Sequence, residues 1–167
     1  MQIQSEYLSH QPVLVAAFTD VQGGSVLELG CGFGSTPLLH ALSAVHACRL
    51  VTIESDAVWI KNFKYLANRN HRVGLVDDFL NRPEYSEPWS IVFVDQIHAE
   101  TRGAAIIALK DRAEIIIAHD SCWPHLYGYE AAFALFPERY DYRVVQPFTT
   151  VLSRIPGRLD ALKGALA

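Results

Sequence analysis

The chain has 167 residues, half of them apolar and 19% charged, with a formal net charge of −4. That composition supplies a core for one domain and excludes a disordered chain. It holds no basic cluster of the kind that grips phosphates, no apolar run near the roughly 18 residues of a membrane helix, and no basic-then-apolar leader. The expectation is one cytoplasmic domain over 1–155 with a tail at 156–167, and with neither nucleic acid nor membrane among its partners. Cys31, Cys48 and Cys122 are odd in number and widely spaced, so they form neither a disulfide framework nor a metal knuckle.

Taken in order, short β-branched runs alternate with helical patterns. A buried strand is expected over 25–30, ending in glycines, then a helix over 35–46 that tolerates Pro37 in its first turn. A strand over 49–54 and a helix over 56–68 follow, the helix placing Trp59, Phe63 and Leu66 on one face. The third strand, 72–76, ends at the acidic pair Asp77 and Asp78. A linker over 79–88 with two prolines is too short for a full helix, so one covering layer should be thinned there. Strands at 90–95 and 114–119 flank a helix over 101–110.

Strands that are apolar throughout are expected where helices cover both faces of a parallel sheet. Beyond a possible helix at 127–136, runs at 140–146 and 149–153 lie too close for a crossover and must pair antiparallel. The expected fold is therefore α/β: a doubly wound, Rossmann-like sheet of five parallel strands plus a C-terminal antiparallel hairpin. Segment 156–167 is either a short helix or frayed. Ligands of such sheets bind beyond the carboxyl ends of the strands. Acids stand at each of those ends: Glu28, Glu54, Asp77 and Asp78, Asp95, and Asp120.

The loop after the first strand runs Glu28-Leu-Gly30-Cys-Gly32-Phe-Gly34-Ser35. Its G-x-G-x-G spacing departs from the dinucleotide G-x-G-x-x-G. Glu28 would repel a pyrophosphate and suit a ligand with an ammonium or sulfonium charge. A tight turn without a ligand is the simpler alternative.

This E-x-G-x-G-x-G loop, followed by Glu54 at the end of the second strand, resembles the class I S-adenosylmethionine-dependent methyltransferases. The resemblance covers about 8–153, with a helix over 7–18 ahead of the first strand. It implies that Gly30, Gly32, Gly34 and Ser35, with Glu28, hold the methionine part of S-adenosylmethionine. It further implies that Glu54, beside Ser55, binds the ribose hydroxyls, that Asp77 or Asp78 meets adenine, and that Asp95 borders the cofactor. The acids ending strands four and five are similar to those of catechol-type O-methyltransferases, which implies Mg²⁺ on Asp95 and Asp120. Two departures stand against the metal: Gln96 stands where V-D-G-x-H has its glycine, and Ser121 replaces the third ligand.

Without metal, the proton of the acceptor falls to Asp95, Asp120 or His119, and less readily to His98 or His125. Trp123, Tyr127 and Tyr129 either line an acceptor pocket or cover the open end of the sheet. Arg102 either meets an anionic acceptor or pairs with Glu100 or Asp95. The implied activity is methyl transfer to oxygen or nitrogen of a small molecule, with closure by a second subunit as one route to an enclosed site. The alternative is a non-catalytic nucleoside-binding or interaction protein on the same fold.

Overall fold

The computed structural model describes residues 8–167. Tyr7, the expected start of the first helix, lies outside them. Among the described residues no helix is long and apolar enough to cross a membrane. The chain runs α1 (Gln11–Ala17), β1 (Ser25–Leu29), α2 (Thr36–Val45), β2 (Arg49–Glu54), β3 (His71–Leu75), β4 (Trp89–Val94), α3 (Ala99–Leu109), β5 (Ala113–Ala118), α4 (Tyr129–Phe133), β6 (Glu138–Tyr142), β7 (Thr149–Ser153) and α5 (Asp160–Leu166). The strands form one sheet in the order β3-β2-β1-β4-β5-β7-β6, parallel from β3 through β5. The antiparallel pair closes it as expected.

Alternation along the strands sorts two cores. Leu27, Leu29, Val92, Val94 and Ile116 face α3 and α4. Val26, Leu50, Ile91, Phe93 and Ile117 face α1, α2 and α5. The segment 156–167 is helical in its last part. Leu159 and Leu162 of this segment are buried in the same cluster as Val13 and Leu14 of α1.

Three local expectations change. The helix over 56–68 is instead a pair of 3-10 turns, Trp59–Asn62 and Lys64–Leu66. Asp56 bonds the amides of Val58 and Trp59 as a helix start should. The Trp59 indole, however, donates to the Cys31 carbonyl, and Ile60 and Phe63 sink against Cys31, so Phe63 leaves helical geometry at φ −120. The helix over 127–136 shrinks to five residues, beginning after the left-handed Gly128. The run at 140–146 is displaced to Glu138–Tyr142. Tyr142 pairs with Thr149, and the apolar Val144 and Val145 stand in the exposed connection. Between β3 and β4 a single 3-10 turn, Pro83–Ser86, replaces a helix, and Phe79 and Tyr85 fill that part of the layer.

A polar line runs through the α2 face. Glu28 and Thr52 are register partners, so both point the same way. The Thr52 hydroxyl donates to Glu28 Oε2 at 2.7 Å and also meets His71 Nε2 at 3.0 Å. His71 Nδ1 meets His40 Nδ1 at 2.9 Å. The second oxygen of Glu28 accepts from Thr36 at 3.0 Å, whose hydroxyl in turn accepts the Gly32 amide at 2.9 Å. Burial pushes the Glu28 carboxyl up to about 7, against the bonds it accepts from hydroxyls. Burial, then the neighbouring His40, pushes His71 down to about 4.

Leu162→Ala should cost about 2–5 kcal/mol in chemical denaturation, because it empties a site between α5 and α1. A second expectation concerns acid. His10, also pushed down by burial, to about 4, and His71 each carry one proton fewer in the folded than in the unfolded chain between pH 4.5 and 6.5. Glu28 carries one more. The folded state thus binds one proton fewer in total, and stability falls as pH drops through that window. Removing the Glu28 titration leaves two, so Glu28→Gln should lose stability about twice as steeply, read from urea midpoints at successive pH values.

Candidate functional site

The carboxyl ends of the strands carry two groups of polar residues. The first is the turn from β1 into α2. Gly30 has φ +85, and a Cβ there would lie 2.6 Å from Gln96 Cα, so only glycine lets this loop lie against the end of β4. At Gly32 an added Cβ would meet only Ser35 Oγ, at 3.4 Å, which leaves that side of the backbone open to close approach. Gln11 of α1 donates to the Gly34 carbonyl at 2.8 Å.

Glu54 ties this loop to β2. Its Oε2 accepts the Cys31 amide at 3.0 Å and its thiol at 3.4 Å, while Oε1 accepts the amides of Ser55 at 2.6 Å and Asp56 at 2.9 Å. The side chain is buried. Burial, together with the adjacent Glu54, pushes the Cys31 thiol up, so it is an inert packing group. Glu28 does not line the loop; it lies fully buried beneath it, both oxygens holding threonine hydroxyls. Asp78 caps its own turn, accepting the Leu80 amide at 2.7 Å, and Asp77 beside it is exposed.

The second group joins β4, β5, α3 and the residues just ahead of α1. Asp95 follows Val94, and His119 follows its register partner Ala118. Alternation turns both toward the face that α1 covers. His119 Nδ1 lies 3.2 Å from Asp95 Oδ1 and 3.5 Å from Asp120 Oδ1, and its Nε2 lies 3.0 Å from the Ser9 hydroxyl. Burial disfavours charge on His119, but Asp95 outweighs it and raises the imidazole above its usual range. Burial likewise opposes charge on Asp95, yet His119 and Arg102 together hold its carboxyl low.

Arg102 of α3 is the cation between the two acids. It reaches Asp95 Oδ1 at 3.1 Å and Asp120 Oδ2 at 2.9 Å, donates to the Gln96 carbonyl at 2.7 Å, and lies 4.5 Å from the centre of the Tyr127 ring. Asp120 adopts φ 58 to make its pair, a left-handed conformation that aspartate tolerates better than most residues. This corrects the expectation of Mg²⁺ held between Asp95 and Asp120: a buried guanidinium already occupies the space between those two carboxylates and bonds to both. It also settles Arg102, which pairs with Asp95 and Asp120 and not with Glu100. Tyr129 is a buried core residue bonded to the His119 carbonyl at 2.9 Å, whereas Trp123 is exposed. His98 and His125 are exposed, away from the cluster.

Sequence reasoning missed Ser9, His10 and the second acid on Arg102, Asp120, while its pairing with Asp95 was one of the readings offered. His10 stands just ahead of α1, and its ring lies 4.6 Å from that of His119, edge to face. No local pattern links residues more than a hundred positions apart, so the sequence held no signal for this contact. Gln96, also missed, is buried, and its Oε1 has no hydrogen-bond partner among the described residues.

No protein-family model and no curated protein matches the sequence. Solved structures match its fold. The S-adenosylhomocysteine-bound methyltransferase PaMTH1 of Podospora anserina aligns over 92% of this chain and 80% of that one, with TM-score 0.65 and 14% identity. Precorrin-6y C5,15-methyltransferase of Geobacter metallireducens aligns over 86% and 87%, with TM-score 0.60 and 14% identity. The METTL16 methyltransferase domain gives 88% and 65%, TM-score 0.60 and 13% identity, so this chain spans just under two thirds of it. The strand order, the glycine turn after β1 and the terminal antiparallel pair together make this the class I methyltransferase fold.

Proposed function

We propose that the protein binds S-adenosylmethionine beyond β1 and β2 and transfers its methyl group to an oxygen or nitrogen of a small molecule beyond β4 and β5. The observation that carries this is the joining of Glu54 to the glycine turn at 3.0 Å on this fold. A carboxylate beside an open backbone is suited to a ligand that offers hydroxyls and a positive charge together. Gly30, Gly32, Gly34 and Ser35 would hold the methionine part, Glu54 and Ser55 the ribose hydroxyls, and Asp77 the adenine edge. Glu28 would act from below, by holding Thr36 and through it the turn. When bound, the sulfonium supplies an electrophilic methyl and a neutral leaving group.

The remaining work belongs to the second group. An acceptor O–H or N–H becomes more acidic as its lone pair forms the new bond to carbon, and its proton must leave. His119 takes that proton at an imidazole nitrogen, and Asp95 stabilises the resulting imidazolium. Arg102 keeps Asp95 and Asp120 in place and cancels part of their charge. The net charge of −4 supports a small acceptor over a polyanion.

A second reading has one observation in its favour. Glu54 is buried, and both its oxygens are already bonded within the chain. A protein that kept the fold as a binding or interaction module, without transfer, would have no need to open it.

Calorimetric titration with S-adenosylmethionine, S-adenosylhomocysteine and NAD tests the cofactor. Micromolar binding of the first two and not of NAD is expected. Glu54→Ala should weaken it by about 1–3 kcal/mol through lost hydroxyl bonds. No binding of either sulfur nucleoside would remove the proposal and leave the second reading. In an acceptor screen that follows S-adenosylhomocysteine formation, the rate should rise with pH as His119 loses its proton. Asp95→Asn removes the charge that raises His119, so the limb should move to lower pH with a smaller plateau. A limb unmoved in Asp95→Asn would take His119 out of the mechanism.

A further inference from the structure

The cluster of His10, Asp95 and His119 does more than the proposed transfer requires. Each residue offers one ligand atom, and the three atoms lie within 4.8 Å of one another. His10 is 2% exposed, and neither of its ring nitrogens has a hydrogen-bond partner among the described residues. The Gly34 carbonyl stands near the ring but outside hydrogen-bond geometry. A buried imidazole with both nitrogens unsatisfied is costly, and a ligand that accepts its lone pair removes the cost.

We propose that His10, Asp95 and His119 form a binding site for a divalent transition ion of the zinc class, with a fourth position open to water or a ligand. Two imidazoles and one carboxylate are a donor set for such ions and a poor one for Mg²⁺, which asks for oxygen. The spacing agrees. Ligand atoms at about 2.0–2.2 Å from a tetrahedral ion stand about 3.4 Å apart, and His119 Nδ1 lies 3.2 Å from Asp95 Oδ1. The His10 nitrogen lies within 4.8 Å of the other two ligand atoms, so its ring would turn toward them when the ion binds. The charges agree as well: Asp95 and Asp120 together outnumber Arg102, leaving one negative charge for the ion to meet. An ion there would fasten the start of α1 to the ends of β4 and β5. It would also exclude the proton that His119 takes in the proposed transfer, so the ion-bound form is distinct from the proton-accepting one, and ion binding should weaken in acid.

The test uses the full chain, stripped of metal by chelator and free of nucleoside, so that its outcome is separate from that of the cofactor titration. Zn²⁺ titration should show one equivalent bound and a raised melting temperature, with no such effect from Mg²⁺. His10→Ala and His119→Ala should each weaken Zn²⁺ binding at least tenfold, whereas His98→Ala and Cys122→Ser, outside the cluster, should not. Co²⁺ bound to the parent protein should show visible bands of a nitrogen–oxygen site without a thiolate charge-transfer band, a readout that does not depend on any variant folding. Absence of stoichiometric binding, binding unchanged in His10→Ala, or a thiolate band would each overturn the site.

Discussion

The buried guanidinium of Arg102 is the contact on which the β4 and β5 end of the sheet depends. Two carboxylates ending adjacent buried strands repel each other, and each is expensive to desolvate. Arg102 meets both, at 3.1 and 2.9 Å, and anchors itself on the Gln96 carbonyl under Tyr127. Its backbone setting is equally constrained: Gly103 beside it donates its amide to the Tyr127 carbonyl at 2.9 Å, and a Cβ there would lie 2.3 Å from the Gly128 carbonyl oxygen. α3 and the loop after β5 are thereby locked together. This one cation is held still between the two carboxylates, and with His119 it keeps the Asp95 carboxyl low at the mouth of an apolar sheet.

The other end of the site is organised by acids in a different way. Among the described residues Glu28 and Glu54 form no ion pair; hydroxyls and backbone amides satisfy them. Glu28 works through Thr36 on the amide of Gly32, and Glu54 works directly on the amide of Cys31. The glycine turn is therefore suspended between two carboxylates, one beneath it and one beside it. A ligand entering here exchanges hydrogen bonds that already exist, which favours a partner rich in hydroxyls over a purely apolar one.

The two halves meet along the face covered by α1. Because side chains alternate along a strand, Glu28 shares that face with Thr52, and Asp95 with His119. Residues just ahead of α1 and within it then reach both halves: His10 and Ser9 at the second group, Gln11 at the carbonyl of Gly34. Any change in how α1 sits is felt at the glycine turn and at the imidazole together.

Much of the fold was legible in the chain because its signals are local. Apolar runs of five or six residues, separated by glycine and proline, placed β1, β2, β4 and β5 to within a residue. The short spacing before 149–153 forced an antiparallel partner, and the glycines after β1 announced the tight turn into α2. Local signals failed where a distant partner decided the outcome. The helix over 56–68 lost to the Cys31 carbonyl and to the apolar floor beneath the turn, and Val144 and Val145 read as strand yet lie in a loop. The choice of Asp95 over Glu100 by Arg102, its second bond to the left-handed Asp120, and the approach of His10 to His119 belong to tertiary structure alone. Periodicity tells which face a residue takes, but only the packing of α1 and α3 on the sheet decides which charge or lone pair will stand opposite it.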